Sequence, residues 1–278
     1  MPPGPVGASG LILPVAGSLR GGVAIVTGAS SGIGAATALA CGREGMRVVL
    51  AARRADRLTQ VAEAVRAAGG GARVAPTDVA DEAAVRALVD GTATDWGRVD
   101  VLVNNAGIGL VAAVGQTRTA DFETIMRVNF LGAVYGILAV LPHMQRQGSG
   151  HVVNVASVVG KRASPFRAAY VASKFALVGL SEALRMELRR EGIHVTCVCP
   201  IGTETEFFDI EENRLGVPGR RGPIQSAEHV ARRIVAALHH PRPEVHPYPP
   251  ARALFLMNAV APGLVDRLMM ALSHRALR

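Results

Sequence analysis

Residues 22–45, GVAIVTGASSGIGAATALACGREG, place the tightest limit on what this chain can fold into. Val23 to Thr27 is a short unbroken apolar run of the kind that forms a strand buried on both faces. A turn carrying Gly28, Ser30, Ser31, Gly32 and Gly34 follows, and from about Ile33 the pattern becomes helical. Glycine at 28, 32 and 34 keeps side chains away from the start of that helix. Its free amides and dipole can then be approached by an anion as large as a pyrophosphate. Gly spacing alone says little; the strand–turn–helix setting gives it meaning.

The rest of the chain repeats the alternation. Strands are expected over 46–52 (MRVVLAA), 72–79, 99–107, 152–156 and 193–200, separated by helices over 56–68, 81–95, 119–147 and from the Tyr170 region to about 190. Pro142 is expected to bend or end the 119–147 helix, which also carries Asn129. Residues 201–223 form a long loop with a helical piece, EFFDIEEN, and loops of this length in compact domains are usually lids. Ser226 opens a helix to about 239, and a seventh strand over 244–248 is confined to an edge by its prolines. Strands alternating with helices predict an α/β fold, a doubly wound parallel sheet in a single domain. The expected domains are a loose arm over 1–19, the catalytic domain over 20–248 and an apolar helical extension over 249–278.

Composition narrows the partners. The net charge is +8 and nearly all of it is Arg, since Lys161 and Lys174 are the only lysines. These charges are dispersed, with no basic stripe interleaved with aromatics, which argues against nucleic acid. Cys41, Cys197 and Cys199 make neither a disulfide framework nor a zinc site, and no metal is expected. Cys197 and Cys199 share a strand face and read as small buried hydrophobes in a reducing, cytoplasmic setting. The histidines at 239, 240 and 246 read as surface or packing residues. Residues 1–19 lack the positive start and apolar core of a signal peptide, and no uninterrupted apolar run reaches the ~20 residues of a membrane span.

The chemistry gathers at YVASK, where Tyr170 and Lys174 stand one helical turn apart. A cation beside a phenol favours the phenolate, so the Tyr170 pKa is expected to fall toward neutrality. Ser157 closes the strand HVVNVAS upstream. At the end of the second strand Ala52-Arg53-Arg54 offers no acid for ribose hydroxyls. Arg53, helped by Ser30 and Arg54, suits a 2′-phosphate, which favours NADP over NAD.

Taken together, Thr27-Gly28 to Gly34, Asp78-Val79, Asn104-Asn105-Ala106-Gly107, Asn129, Ser157 and Tyr170-x-x-x-Lys174 resemble the short-chain dehydrogenase/reductases over roughly 20–248. The resemblance implies a Rossmann-type doubly wound parallel sheet of about seven strands, with Tyr170 as proton donor or acceptor, Ser157 on the substrate oxygen, Lys174 on the nicotinamide ribose, and Asn129 holding a water in a proton relay. It implies cofactor contacts from Gly28, Ser30, Ser31, Gly32, Ile33, Gly34, Arg53, Arg54, Asp78, Val79, Asn105, Ala106, Gly107, Tyr170 and Lys174. Pro200, Gly202, Thr203 and Thr205 complete that set, although Pro200-Ile201-Gly202 departs from the family's Pro-Gly. Thr27, Asn104 and Gly107 are expected to tie the central strands together. The expected activity is NADP(H)-dependent interconversion of a carbonyl and a secondary alcohol on a lipophilic small molecule, by a homodimer or homotetramer. An NAD-dependent alcohol dehydrogenase of the same family, and an NADP-binding sensing or assembly protein with little turnover, are the alternatives.

Residues 251–277 are the least family-like apolar stretch. Pro262-Gly263 divides them into two short helices. Packing on the chain's own domain or on a partner subunit is the favoured reading and a membrane surface the other. A pocket wall formed with the 201–223 loop, with Phe207, Phe208, Phe255 and Met257 as lining, would select a lipophilic ketone or alcohol.

Overall fold

The computed structural model describes residues 18–216 and 223–274. Most of the N-terminal arm, the middle of the 201–223 loop, Arg275 and Arg278 lie outside the described residues.

Seven parallel strands form one sheet: β1 (Val23–Thr27), β2 (Arg47–Ala52), β3 (Gly71–Pro76), β4 (Val101–Asn104), β5 (Gly150–Val155), β6 (Ile193–Val198) and β7 (Glu244–Val245). Their order is β7-β6-β5-β4-β1-β2-β3. Val23 lies opposite Arg47 and Ala24 opposite Val101, so the chain reverses its direction of winding between β1 and β4. Such switch points open a crevice at the carboxyl ends of the strands. The doubtful seventh strand is real but only two residues long, pairing with Cys197 and Val198 at the sheet edge.

Alternation along each strand feeds two cores. Ala24, Val26, Val48 and Leu50 pack with Ala38, Leu58, Val65 and Ile234 from α1 (Gly32–Arg43), α2 (Ala55–Ala67) and the later helix Ala227–His239. Ile25, Val49 and Leu102 pack on the opposite face with Val89, Ile137 and Met144 from α3 (Glu82–Trp96) and the 119–147 segment. A fully buried side chain such as Leu58 contributes about 1.5–3 kcal/mol, so both helical layers are held by the same period-two pattern.

That segment is one continuous helical rod: α4 (Thr119–Met126), a π-helical stretch Arg127–Leu131, and α5 (Gly132–Gln147). It is long and apolar enough to cross a bilayer, yet it carries core residues and packs on α3. Pro142 neither ends nor stops it. The carbonyl that proline leaves without an N–H belongs to Leu138, an exposed residue, where water can serve. α6 (Ala168–Glu187) follows β5, then α7 (Ala227–His239), whose N-cap Ser226 accepts a bond from the His229 amide at 3.1 Å. The chain closes with α8 (Ala251–Val260) and α9 (Pro262–His274), separated at Pro262-Gly263 as the sequence predicts.

Candidate active site

A cavity of about 1240 Å³ occupies the crevice. Its floor is the turn after β1 and the ends of β2, β4 and β5, and its far wall comes from 200–211, α8 and α9. The helix α1 starts there with neither a side-chain cap on its amides nor an acidic residue in its first turn. An uncapped helix start facing a cavity is a fit for an anion. Gly28, Ser30, Ser31, Gly32, Ile33, Arg53, Arg54, Asp78, Val79, Asn105, Ala106, Gly107, Pro200, Gly202, Thr203 and Thr205 all line the space, with Ser157, Tyr170 and Lys174. The residues present therefore suit an extended dinucleotide.

Gly34 is the exception among the expected cofactor contacts. It is buried behind the turn, where a Cβ would stand 2.3 Å from the Gly28 carbonyl oxygen and 2.6 Å from Asn105 Nδ2. Its role is to let α1 pack against the turn and β4. The rest of that support follows the sequence reading. Thr27 Oγ1 donates to Val103 O at 3.2 Å and accepts from the amides of Asn105 and Ala106 at 3.0 and 3.2 Å. Asn104 Nδ2 donates to Asn154 Oδ1 at 2.9 Å, and Asn154 Nδ2 reaches Ser181 Oγ on α6 at 2.9 Å. The floor is thus tied to the helix that carries Tyr170.

Lys174 is buried and donates to Val155 O at 2.9 Å, with Nζ 5.7 Å from the Tyr170 ring centroid. Burial pushes its pKa down to about 8. Tyr170 departs from expectation: its pKa is raised to about 12, because burial of the phenol outweighs the opposing hydrogen bond to Ser157 and the charge of Arg167. A lysine one turn away is visible in sequence; the desolvation that overrides it is not.

Asn129 also differs. It is 1% exposed and is not part of the cavity wall. Its Oδ1 accepts from the Ile108 amide at 2.8 Å, and its Nδ2 donates to Ile108 O at 2.9 Å and Ser173 Oγ at 3.0 Å. The side chain braces the π-helical stretch against the loop after β4.

The described part of the 201–223 loop, residues 201–216, is clasped over the cavity. Its helical part is one turn, Phe207–Ile210, rather than the whole EFFDIEEN stretch, and the Phe207 ring lies tilted against Tyr170 with centroids 5.6 Å apart. Glu212 and Asn213 pair with Leu110 and Val111. Arg214 donates to Asp121 at 2.7 and 3.0 Å. Beneath them Arg167 holds the buried Glu211 at 2.5 Å, and the Glu211 pKa is raised by burial. Gly109 makes room for this pair, since a Cβ there would lie 2.2 Å from Glu211 Oε1. On the opposite lip Arg54 donates to Ser30 Oγ, Ser31 Oγ and Glu206 Oε2, each at 3.1 Å. Arg162, Arg167 and Glu211 were not among the sequence candidates, and neither was Phe166, a cavity residue held at φ 65°. No local motif marks them, because each is defined by a contact distant in sequence. Of the apolar candidates Phe207, Phe208 and Phe255 line the cavity, joined by Leu254 and Met269, whereas Met257 turns outward.

The short chain dehydrogenase family model matches residues 22–214. The chain belongs to that family. It is 33% identical over 257 residues to ketoacyl reductase HetN of Nostoc sp., covering 90% of this chain and 89% of that protein. It is 37% identical over 229 residues to glycine betaine reductase ATRR of Emericella nidulans, covering 81% of this chain but only 18% of that much longer protein. A short chain dehydrogenase/reductase from Burkholderia phymatum, solved in complex with NAD, superposes with TM-score 0.82 at 29% identity, covering 89% of this chain and 96% of that one. An alcohol dehydrogenase from Thermococcus sibiricus, complexed with 5-hydroxy-NADP, gives 0.72 at 27% identity over 82% and 96%. The fold and the oxidoreductase family are therefore established.

Proposed function

We propose that the protein is an NADP(H)-dependent oxidoreductase that interconverts a carbonyl and a secondary alcohol on a lipophilic substrate, in the cytoplasm. The observation that carries this is the meeting of Ser157, Tyr170 and Lys174 on a cavity whose far wall is Phe207, Phe208, Leu254, Phe255 and Met269. Apolar walls with a few polar groups at the reacting end are the usual design of such sites. In the reductive direction the Tyr170 phenol gives its proton to the substrate oxygen while Ser157 Oγ holds that oxygen. Lys174 keeps a positive charge beside the phenol and a hydroxyl-binding ammonium in the cavity. The amides opening α1, with Ser30 and Ser31, would hold the pyrophosphate, and the nicotinamide, when bound, supplies or takes the hydride. A panel of ketones graded by size and polarity, followed by NADPH oxidation, tests the reading. Bulky apolar ketones should give the higher kcat/KM, and turnover of none would refute it.

NADP preference rests on Arg53, Arg54 and Ser30, with no acid at the end of β2. Arg53 is exposed at the cavity edge, while Arg54 is already aimed at the serine turn. Removing a charge-assisted phosphate contact costs on the order of 1.5–3 kcal/mol, or roughly 10–100-fold. Arg54→Ala should weaken NADPH by that factor and NADH far less, as read by fluorescence titration. Equal affinities for both dinucleotides in the unaltered protein would reject the preference.

Assembly as a homodimer or homotetramer belongs to the same reading. Leu138 on α5 and Phe175 and Met186 on α6 are exposed apolar residues on two long helices of the layer opposite α1. Light scattering that returned a monomer at micromolar protein would exclude it.

A further inference from the structure

We propose that the outer face of α8 and α9 docks on an anionic lipid bilayer, so that the cavity these helices wall is loaded from the membrane. The loading step rests on the lipophilic substrate proposed above; the docking does not. Both helices are two-sided. Leu254, Phe255 and Met269 turn inward to the cavity, Val265 is 1% exposed, and the Asp266 carboxylate is held by Arg162 at 2.6 Å. These contacts pin the pair to its own domain, as the favoured sequence reading had it. They leave the opposite side unpaired.

That side carries Leu256, Met257, Val260, Leu264, Leu268 and Met270, all exposed, with Val260 at 79%. These are six of the twelve large apolar residues exposed among the described residues, drawn from two short helices. A soluble surface of ordinary composition scatters such residues singly. Charge decides between occupants. Arg252 and Arg267 are exposed on the same helices, and the one acid in their described part, Asp266, is spent on Arg162. The face therefore offers apolar side chains and guanidinium groups that have no ion pair among the described residues. Self-association through a two-fold contact would bring like charges together, whereas anionic headgroups complement them. With α8 and α9 only 10 and 13 residues long, both lie along a surface and neither spans it.

The test is vesicle flotation of the full chain with phosphatidylcholine alone and with added phosphatidylglycerol, beside light scattering of the same samples without lipid. The unaltered protein should float with phosphatidylglycerol vesicles and be released by salt. Leu256→Asp/Leu264→Asp should bind these vesicles about tenfold or more weakly at unchanged mass in solution. Arg252→Gln/Arg267→Gln should lose the dependence on phosphatidylglycerol. Absence of flotation, or equal flotation of the leucine variant, overturns the proposal. A fall in particle mass in the leucine variant, without vesicle binding by the unaltered protein, assigns the face to a second copy instead. Both variants keep turnover of short soluble ketones, because none of these residues lines the cavity. Failure of the carbonyl–alcohol reading would appear separately, as no ketone turnover with vesicle binding intact.

Discussion

Tyr170→Phe lowers turnover by about 10²–10⁴-fold, the usual contribution of a positioned acid or base, and leaves dinucleotide binding nearly unchanged. The reasoning is local. Tyr170 lines the cavity with Ser157, and its ring centroid lies 5.6 Å from that of Phe207, so phenylalanine keeps the packing and loses only the proton. The groups suited to the pyrophosphate lie on the turn after β1, which the substitution does not touch. Fluorescence titration with NADPH and single-turnover reduction of a ketone separate the two effects. A folded variant with near-normal turnover would remove Tyr170 from the chemistry and favour a protein that binds the dinucleotide without using it. The pH dependence follows from the same shifts. With the phenol raised to about 12, it is protonated at neutral pH and ready to donate. Reduction should therefore hold across neutral pH and decline as the pH passes about 8, where Lys174 loses its charge. Alcohol oxidation needs the phenolate, so it should climb as pH rises from neutrality, until loss of the Lys174 charge above about 8 opposes it.

Much of this site could be read before the fold was known, because its parts lie in short segments. The β1 turn, the Asn104–Gly107 loop and the Tyr170–Lys174 turn each bring their residues together within a few positions. Repeated strand–helix alternation puts all three at the carboxyl ends of one sheet. Thr27 and Asn104 were expected to tie strands, and their hydroxyl and amide do so through Val103, Asn105 and Asn154.

What was illegible depended on burial or on distant contacts. A sequence shows Lys174 beside Tyr170 but not the desolvation that raises the phenol's pKa. It shows Pro142 in a helical run but not that Leu138 faces water. It gives no sign that Arg167 will meet Glu211, 44 positions away, beneath a loop clasped by Arg214 and Asp121. The same holds for Gly34, whose spacing reads as cofactor contact while its Cβ position lies inside the protein.

Asn129 separates these two kinds of knowledge, and its replacement has the second large effect. The sequence marks it as a polar residue in an apolar helix, open to two readings: a brace at an irregular turn, or a holder of relay water. In the structure both ends of its amide are engaged within the protein, on Ile108 N and O and on Ser173 Oγ. Ser173 in turn donates to the Tyr170 carbonyl at 2.7 Å. Asn129→Ala leaves the amide and carbonyl of Ile108 without these partners, at a cost on the order of 3 kcal/mol when buried groups go unpaired. The midpoint of urea unfolding should fall accordingly. Activity should fall with it, because Ile108 lines the cavity and the Ser173 hydroxyl loses the bond that orders it beside Tyr170. Asn129→Asp should not recover the stability: a carboxylate still accepts from the Ile108 amide, but its second oxygen faces the Ile108 carbonyl, acceptor against acceptor, and brings a charge into a buried site. A brace thus predicts stability and kcat declining together in both variants. If Asn129→Ala instead unfolds at the same urea concentration as the unaltered protein while kcat collapses, the amide serves the proton path, and bracing is not its main role.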